Sequence, residues 1–527
     1  MNDLESFVTA PRTLLIAPAG YGKTYTIAAC LASTKGHQLI LTHTHAGIGS
    51  IREKLRKAGI PQSSYSLETI SGFVQKLVHA YYSGNELPDQ QDGRLYYAFL
   101  NSQLKKLLGS PIIREIIRSS YYGLFVDEYQ DCSVEQHELV MQLAELFPVH
   151  VLGDPLQGIF DFNGEAINME KALTGFQLFP ELDIPQRWYQ CGKIALGDYL
   201  KNFRATLLNR QPIKLQNQRD IGLYFFQIPD GGALTAGTEY LNQLARIINN
   251  TKKNPDLESL LFLVPEYTDP NNPANTVNQG DIGHRSKIKA RIDFGNQLTL
   301  LEAIDDKLFY QITRQADVFI QPNRIKKKLS RLRDDLLEKL FNKSAFDQWF
   351  KEEKWIAKRK PDEAETSAIL QKKINGFLAD PHPLRLYDII FFIKRQLQIK
   401  VKRPEVFSSF CSALKCAAED KISVFDAMVQ HRNKIRRVGR KVEGKCIGTT
   451  LLTKGLEFDS VVIVDAHLFT CPKHLYVAFT RCRKNLFVFS ATVTLQPDYR
   501  RLDGLSKDSP PSHSVPSLDD LQKRTLD

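Results

Sequence analysis

The 527-residue sequence contains no run of about 18 or more uncharged apolar residues, so it offers no candidate for a membrane-spanning helix. Its start, MNDLESF, lacks the basic-then-apolar pattern of a secretory leader, and a cytoplasmic protein with no membrane partner is expected. The eight cysteines (Cys30, Cys132, Cys191, Cys411, Cys416, Cys446, Cys471 and Cys482) show no CxxC spacing. That removes the usual sign of a thiolate metal site, and reduced, mostly buried thiols are expected. No internal repeat of fixed period is present. Acidic residues are the scarcer charge, 59 against 70 Lys and Arg, for a net +11. Such a surplus favours a polyanionic partner, although many basic proteins bind no nucleic acid. With 43% hydrophobic and 24% charged residues, the chain reads as ordinary globular protein. It is long enough for about three or four domains.

The stretch LLIAPAGYGKTYT, from Leu14 to Thr26, has the layout of a buried strand, a tight loop and the start of a helix. That is how a phosphate-binding loop is built, although a chance Gly-Lys-Thr turn reads similarly in isolation. Gly20 and Gly22 let the loop curl so that backbone N–H groups face phosphate oxygens. The cradle would comprise Ala17, Pro18, Ala19, Gly20, Tyr21, Gly22, Lys23, Thr24 and Tyr25. Lys23 would reach the outer phosphates and the Thr24 hydroxyl would ligate magnesium. Ala17 stands where the first glycine of GxxxxGK[ST] is usual, which a small residue with negative φ can satisfy.

Further along, QLILTHT (Gln38–Thr44) is a second apolar run whose C-terminal end carries Thr42 and His43, where open parallel sheets place ligands. ETISGFVQKLVHAYY is an amphipathic helix opening near Thr69. GLFVDEYQDCS (Gly123–Ser133) ends a strand in two carboxylates. Simple strand capping explains most such pairs, but its position about 100 residues after a phosphate loop favours chemistry. Asp127 suits magnesium and Glu128 suits proton abstraction from an attacking water. In PVHVLGDPLQGIFDFNGE, the amide of Gln157 could reach a γ-phosphate. Arg187, in IPQRWYQCGKIA, is a possible arginine finger.

Taken in this order, LLIAPAGYGKT, VDEYQDCS, VLGDPLQGIFDFNGE and QRW resemble motifs of the UvrD/Rep family of superfamily 1 helicases. GTTLLTKGLEFDSVVIVDA resembles the family's KGLEF motif and HLYVAFTRCRKNLFVF its YVALTRA motif. The resemblance covers roughly residues 10–190 and 440–490. It implies an α/β fold: two RecA-like parallel-sheet P-loop NTPase domains, with ATP and magnesium in the cleft between them and a mostly helical inserted subdomain. By the same resemblance, Arg481 would reach in from the second domain to the transferring phosphoryl group, and Glu457 would touch the ribose or couple the site to nucleic acid. Residues 1–210 would form the first domain with a short helical insertion at about 85–120. Residues 211–284 and 431–495 would form the second, with the helical insertion at 285–430 and a disordered tail at 496–527.

The basic helical stretches RIKKKLSRLRDDLLEKLF, FDQWFKEEKWIAKRK and YDIIFFIKRQLQIKVKR could be solvated faces or a nucleic-acid surface, and the same choice stands for HRNKIRRVGRKVEGK. The chain departs from the family at several positions. No glutamine upstream of the phosphate loop is available to read adenine, and Gln186 replaces the base-stacking tyrosine. His43, Asn163 and Leu451 replace residues that help the family grip single-stranded DNA. Thr42, His43, Thr450, Phe160 and Phe162 remain as candidate DNA contacts, the two phenylalanines being equally suited to core packing. The accessory insertion ahead of VDEYQD is short, about 40 residues. Compact relatives of this kind, such as the helicase-like subunit of the Gabija system, occur in anti-phage operons, which implies a nuclease partner. Three functions fit: a 3′→5′ translocase or helicase on single-stranded or partly duplex DNA, a nucleotide-gated sensor subunit of a nuclease complex, or an NTPase unrelated to nucleic acid.

Overall fold

The computed structural model describes residues 4–43, 45–84, 87–88, 93–159, 167, 169–229, 238–250, 255–257, 259–266, 281–293, 297–301, 306–321, 329–438 and 444–502. The chain divides into two compact units. One comprises Met1–His79, Leu104–Leu301 and Lys441–Asp527, and the other Ala80–Gln103 and Glu302–Arg440.

The first unit holds two six-stranded sheets. In the first, β1 (Arg12–Ile16), β2 (Gln38–Thr42), β3 (Tyr65–Thr69), β4 (Gly123–Val126), β5 (Val149–Gly153) and β6 (Gln177–Phe179) are ordered β3-β2-β4-β5-β1-β6. Every pairing is parallel. Residues of β2, β4 and β5 are buried throughout, which explains why they read as continuous apolar runs rather than alternating ones. The helices Lys23–Ser33 and His45–Lys57 supply the crossovers that parallel neighbours require.

The second sheet contains β7 (Leu223–Gln227), β8 (Leu260–Leu263), β9 (Thr299–Leu300), β10 (Lys445–Gly448), β11 (Phe458–Ile463) and β12 (Cys482–Ser490), ordered β9-β10-β8-β11-β12-β7 and again all parallel. Each sheet with its helices forms a RecA-like domain. One apolar cluster runs through both, joining Tyr21, Leu156 and Trp188 to Leu261, Phe458 and Tyr476.

The second unit is mostly helical. Three of its helices, Pro361–Ala379, Pro383–Arg395 and Pro404–Asp420, open on proline, whose missing N–H costs nothing in the first turn. Their apolar faces meet in a core that includes Phe341, Leu370, Ile390, Phe410 and Leu414.

Several boundaries differ from the sequence reading. Residues 285–301, expected to open the helical insertion, stay with the sheet unit: the helix Asp281–Ile292 packs Ile288 and Ile292 on the second sheet, and the longer segment of the helical unit begins at Glu302. The expected 85–120 insertion divides: Ala80–Gln103 joins the helical unit, whereas the helix Pro111–Ser120 belongs to the sheet unit. FDQWFKEEKW is a hairpin rather than a helix, with Phe350–Lys351 antiparallel to Lys354–Trp355 and Glu352 turning at φ 49°. The tail does not begin at Gln496. Tyr499–Leu502 forms a 3-10 turn, and the Tyr499 hydroxyl donates to Gln211 O at 2.5 Å. Residues 503–527 lie outside the described residues. Among the described residues no helix is long and apolar enough to cross a membrane.

Candidate active site

Parallel topology brings three loops to one edge of the first sheet. The loop from Ala17 to Gly22 leaves β1, Asp127–Asp131 follows β4, and Asp154–Gln157 follows β5. Gly20 (φ 81°) and Gly22 (φ 95°) supply the left-handed conformations of the candidate phosphate loop. Ala17 N–H donates to Gly153 O at 2.8 Å, so the alanine at the loop's first position makes the turn. Ala19 N–H donates to the Tyr476 hydroxyl at 3.1 Å, a contact that arrives from the second domain. Pro18 and Tyr21 are buried, Thr24 is half-buried, and Tyr25 is 69% exposed on the outer side of the helix.

Lys23 is 9% exposed, with Nζ 3.1 Å from Asp127 Oδ1 and 2.5 Å from Glu128 Oε1. Burial by itself would push its ammonium down, but Asp127 and Glu128 outweigh burial and hold it above its ordinary value. Burial pushes Asp127 up against the pull of Lys23. For Glu128 burial acts the same way, yet Lys23 and Lys454 prevail and bring it down to about 2. Glu128 also adopts φ 57°, a left-handed conformation that is uncommon outside glycine and recurs at functional sites. Its Oε2 accepts from Gln130 Nε2 at 2.5 Å, and Gln130 Oε1 in turn accepts from Asp154 N at 3.0 Å.

The second domain faces this edge with the residues that precede β11 and β12. Arg481, 1% exposed, donates from Nε to Val477 O and from Nη1 to Leu456 O, each at 3.1 Å. Its Nη2 lies 3.5 Å from Gln157 Oε1. Burial, and secondarily Arg187, lower this guanidinium to about 10. Gln157 is steadied by a bond from Nε2 to Asp154 Oδ2 at 3.1 Å. Arg187 pairs through Nε with Glu457 Oε2 at 2.8 Å and donates from Nη1 to Thr480 O at 2.5 Å. Its backbone N–H donates to Gly20 O at 2.8 Å, tying this arginine to the phosphate loop. Gln157, Arg187, Glu457 and Arg481 are therefore linked across the two sheets.

The candidate DNA contacts are not gathered in the same way. Thr42 is fully buried, and its hydroxyl has no hydrogen-bond partner among the described residues. His43 Nε2 lies 3.4 Å from Cys132 Sγ, and burial, assisted by Lys454, lowers its imidazole to about 3. Thr450 Oγ1 contacts His474 Nδ1 at 2.6 Å and Glu266 Oε1 at 3.1 Å. Phe160 and Phe162 lie outside the described residues.

Residues 75–175 match the model of the UvrD/REP helicase N-terminal domain, a stretch that includes β4, the carboxylate turn and β5. Over that stretch, about a fifth of its length, the chain is similar to the UvrD/REP helicases. The chain is also similar to the Gabija protein GajB of Bacillus cereus (strain VD045), with 29% identity over 117 residues. That alignment covers 22% of this chain and 23% of the relative, so less than a quarter of GajB is spanned. Among solved structures it is similar to the arterivirus nonstructural protein 10 (helicase) in a complex with DNA. There the identity is 15%, the coverage 43% of this chain and 47% of that one, and the TM-score 0.24.

Some residues of this candidate site escape sequence reasoning. Lys454, inside KGLEF, contacts both carboxylate oxygens of Asp131 and the main-chain oxygen of Gln157. Tyr476, inside YVAFTR, caps the phosphate loop. Trp188 is fully buried, with Nε1 donating to Cys482 O at 2.9 Å. The available signal was a lone lysine in the apolar run LLTKGLEF, since a buried ammonium demands a counter-charge.

Proposed function

We propose that the chain is an ATP-dependent translocase or 3′→5′ helicase on single-stranded or partly duplex DNA, hydrolysing nucleotide in the crevice between its two RecA-like domains. The observation that carries this reading is the convergence of Lys23, Asp127, Glu128 and Gln157 from one sheet with Arg481 from the other. The polarity rests on the family alone. In this reading the phosphate loop holds the triphosphate and Lys23 turns from the carboxylates toward the outer phosphates. Glu128, kept ionised, accepts a proton from the attacking water. Arg481 and Arg187 stabilise charge on the transferring group.

Thr24 and Asp127 would hold magnesium. The set is all oxygen, as this ion prefers, and no group of three or more His, Cys, Asp or Glu is assembled for a metal among the described residues, so phosphate and water would complete it. When bound, the ion would neutralise charge on the phosphates.

Because cations from both sheets would grip one triphosphate, hydrolysis changes how firmly the domains close, and the strand between them advances. The test is phosphate release with and without single-stranded DNA, read beside strand displacement. A large DNA stimulation is expected; equal, high rates in both conditions would sink the translocase.

A second reading, a nucleotide-gated DNA-sensing subunit of a nuclease complex active in anti-phage defence, is favoured by the similarity to a Gabija protein and by the internal contacts that already engage His43 and Thr450. Co-purification with a nuclease, together with no strand separation by the purified chain, would select it.

A further inference from the structure

Lys454 is a buried cation that the hydrolytic reading leaves unused. It is 5% exposed and Asp131 is 3% exposed. Nζ lies 2.5 Å from Asp131 Oδ1 and also contacts Asp131 Oδ2 and the main-chain oxygen of Gln157. Asp131 closes the turn Tyr129–Asp131, which Glu128 opens, and Gln157 closes the turn Pro155–Gln157. One ammonium of the second domain thus pins the ends of two first-domain loops.

Those loops are joined again by Gln130, which accepts from Asp154 N and donates to Glu128 Oε2. The position of Glu128 therefore depends on Gln130, and that of Gln130 on the spacing of the two turns. Lys23 contributes to holding Glu128, but a lysine drawn to phosphates holds it less. The Gln130 contact would then carry more of the task, so the spacing that Lys454 sets matters most when nucleotide is present. Lys454 itself is placed by the short helix Thr450–Thr453 behind it and by Gly455 ahead, at φ 80°.

A buried ion pair is a poor source of stability, since apolar residues of similar volume commonly serve as well. Asp131 illustrates the cost: burial pushes its carboxyl up to about 6 in spite of Lys454. The same burial pushes Lys454 down, against Asp131 and Glu128. A contact that costs this much and spans two domains is better explained by what it positions.

The geometry points to Lys454 as a positioning residue that makes the setting of Glu128 and Gln157 depend on where the second domain sits, so that hydrolysis requires closure of the two domains. This rests on the hydrolytic reading above.

The experiment compares wild type, Lys454→Met, Lys454→Met with Asp131→Leu, Asp131→Asn, and Lys23→Ala for melting temperature, binding of a fluorescent ATP analogue, and kcat and KM for phosphate release. Lys454→Met strands a buried carboxylate and should melt lower. The double variant should recover the wild-type melting temperature and keep analogue affinity within about threefold, yet turn over at least about tenfold more slowly, since misplacement by about 1 Å is enough. Asp131→Asn, which keeps the shape, should show the same fall in kcat with KM little changed. Wild-type kcat in the double variant or in Asp131→Asn would overturn the positioning role, as would loss of analogue binding in both. Lys23→Ala separates the two claims. Normal turnover there defeats the hydrolytic reading, whereas an inactive Lys23→Ala beside a fully active double variant defeats only the role of Lys454.

Discussion

Gly20→Ala tests whether the phosphate loop is held rigid by the indole beneath it. Gly20 sits at φ 81°, where an alanine costs about 1–2 kcal/mol through the contact of Cβ with the following carbonyl. A Cβ there would also fall 2.7 and 2.8 Å from two Trp188 ring carbons and 3.2 Å from Arg187 Cβ. The indole has little freedom to move away, because it is fully buried and its Nε1 is bonded to Cys482 O at 2.9 Å. Overpacking of this kind adds about 1–3 kcal/mol, for a total of about 2–5 kcal/mol. Gly59 supplies the control, since it has φ 72° with nothing within 4 Å of its Cβ position, so only the conformational cost applies. Urea unfolding followed by tryptophan fluorescence should give Gly59→Ala a loss of about 1–2 kcal/mol and Gly20→Ala the larger figure. If the loop yields instead of the indole, its inward N–H groups are misdirected. ATP-analogue affinity should then fall more than about tenfold in Gly20→Ala and not at all in Gly59→Ala. Equal unfolding midpoints for the two variants, or wild-type affinity in Gly20→Ala, would refute the reasoning.

Arg481→Ala should lower kcat for phosphate release by about a hundredfold or more while leaving analogue affinity within a fewfold, because this arginine comes from the domain opposite the phosphate loop; stopped-flow phosphate release checks it. Trp188→Phe keeps an aromatic ring but removes part of the buried volume and leaves the buried Cys482 carbonyl without its indole donor, a loss of at least about 1–3 kcal/mol that calorimetry would detect. For Glu128, burial opposes ionisation, but Lys23 and Lys454 hold the carboxyl at about 2, below its ordinary 4.5. Its contribution to stability is thus complete above pH 4.5 and lost as pH falls toward about 2. Glu128→Gln should flatten that part of the acid-unfolding profile, and an unchanged profile would contradict the assigned contacts.

The shape of the glycine loop and of the carboxylate turn was legible because local backbone demands dictate residue type. A strand that enters two left-handed glycines and then Lys-Thr has few other uses, and an apolar strand that ends in Asp-Glu announces itself. The strands β3 and β6 were harder to read. β3 carries the half-buried polar residues Ser66 and Glu68, and β6 is an exposed edge of three residues, so neither shows the unbroken apolar run of an interior parallel strand. The hairpin at Phe350–Trp355 was read as a helix because its aromatics and charges also suit helical spacing, and it is fixed by packing of Phe350 against Phe346 and Trp355.

By itself, the order of residues determined the first sheet's interior strands, the glycine loop after β1 and the identity of the charged groups, since each follows from contacts within a few residues or from the simple need to bury apolar side chains. Only the tertiary structure decided which polar groups meet: Lys454 with Asp131, Tyr476 with the Ala19 N–H, and Arg187 with both Gly20 and Glu457. Those partners lie hundreds of positions apart, 323 for Lys454 and Asp131 and 457 for Tyr476 and Ala19, and no local propensity links them. They become neighbours because two parallel sheets share one apolar core, which brings the strand ends of one opposite those of the other.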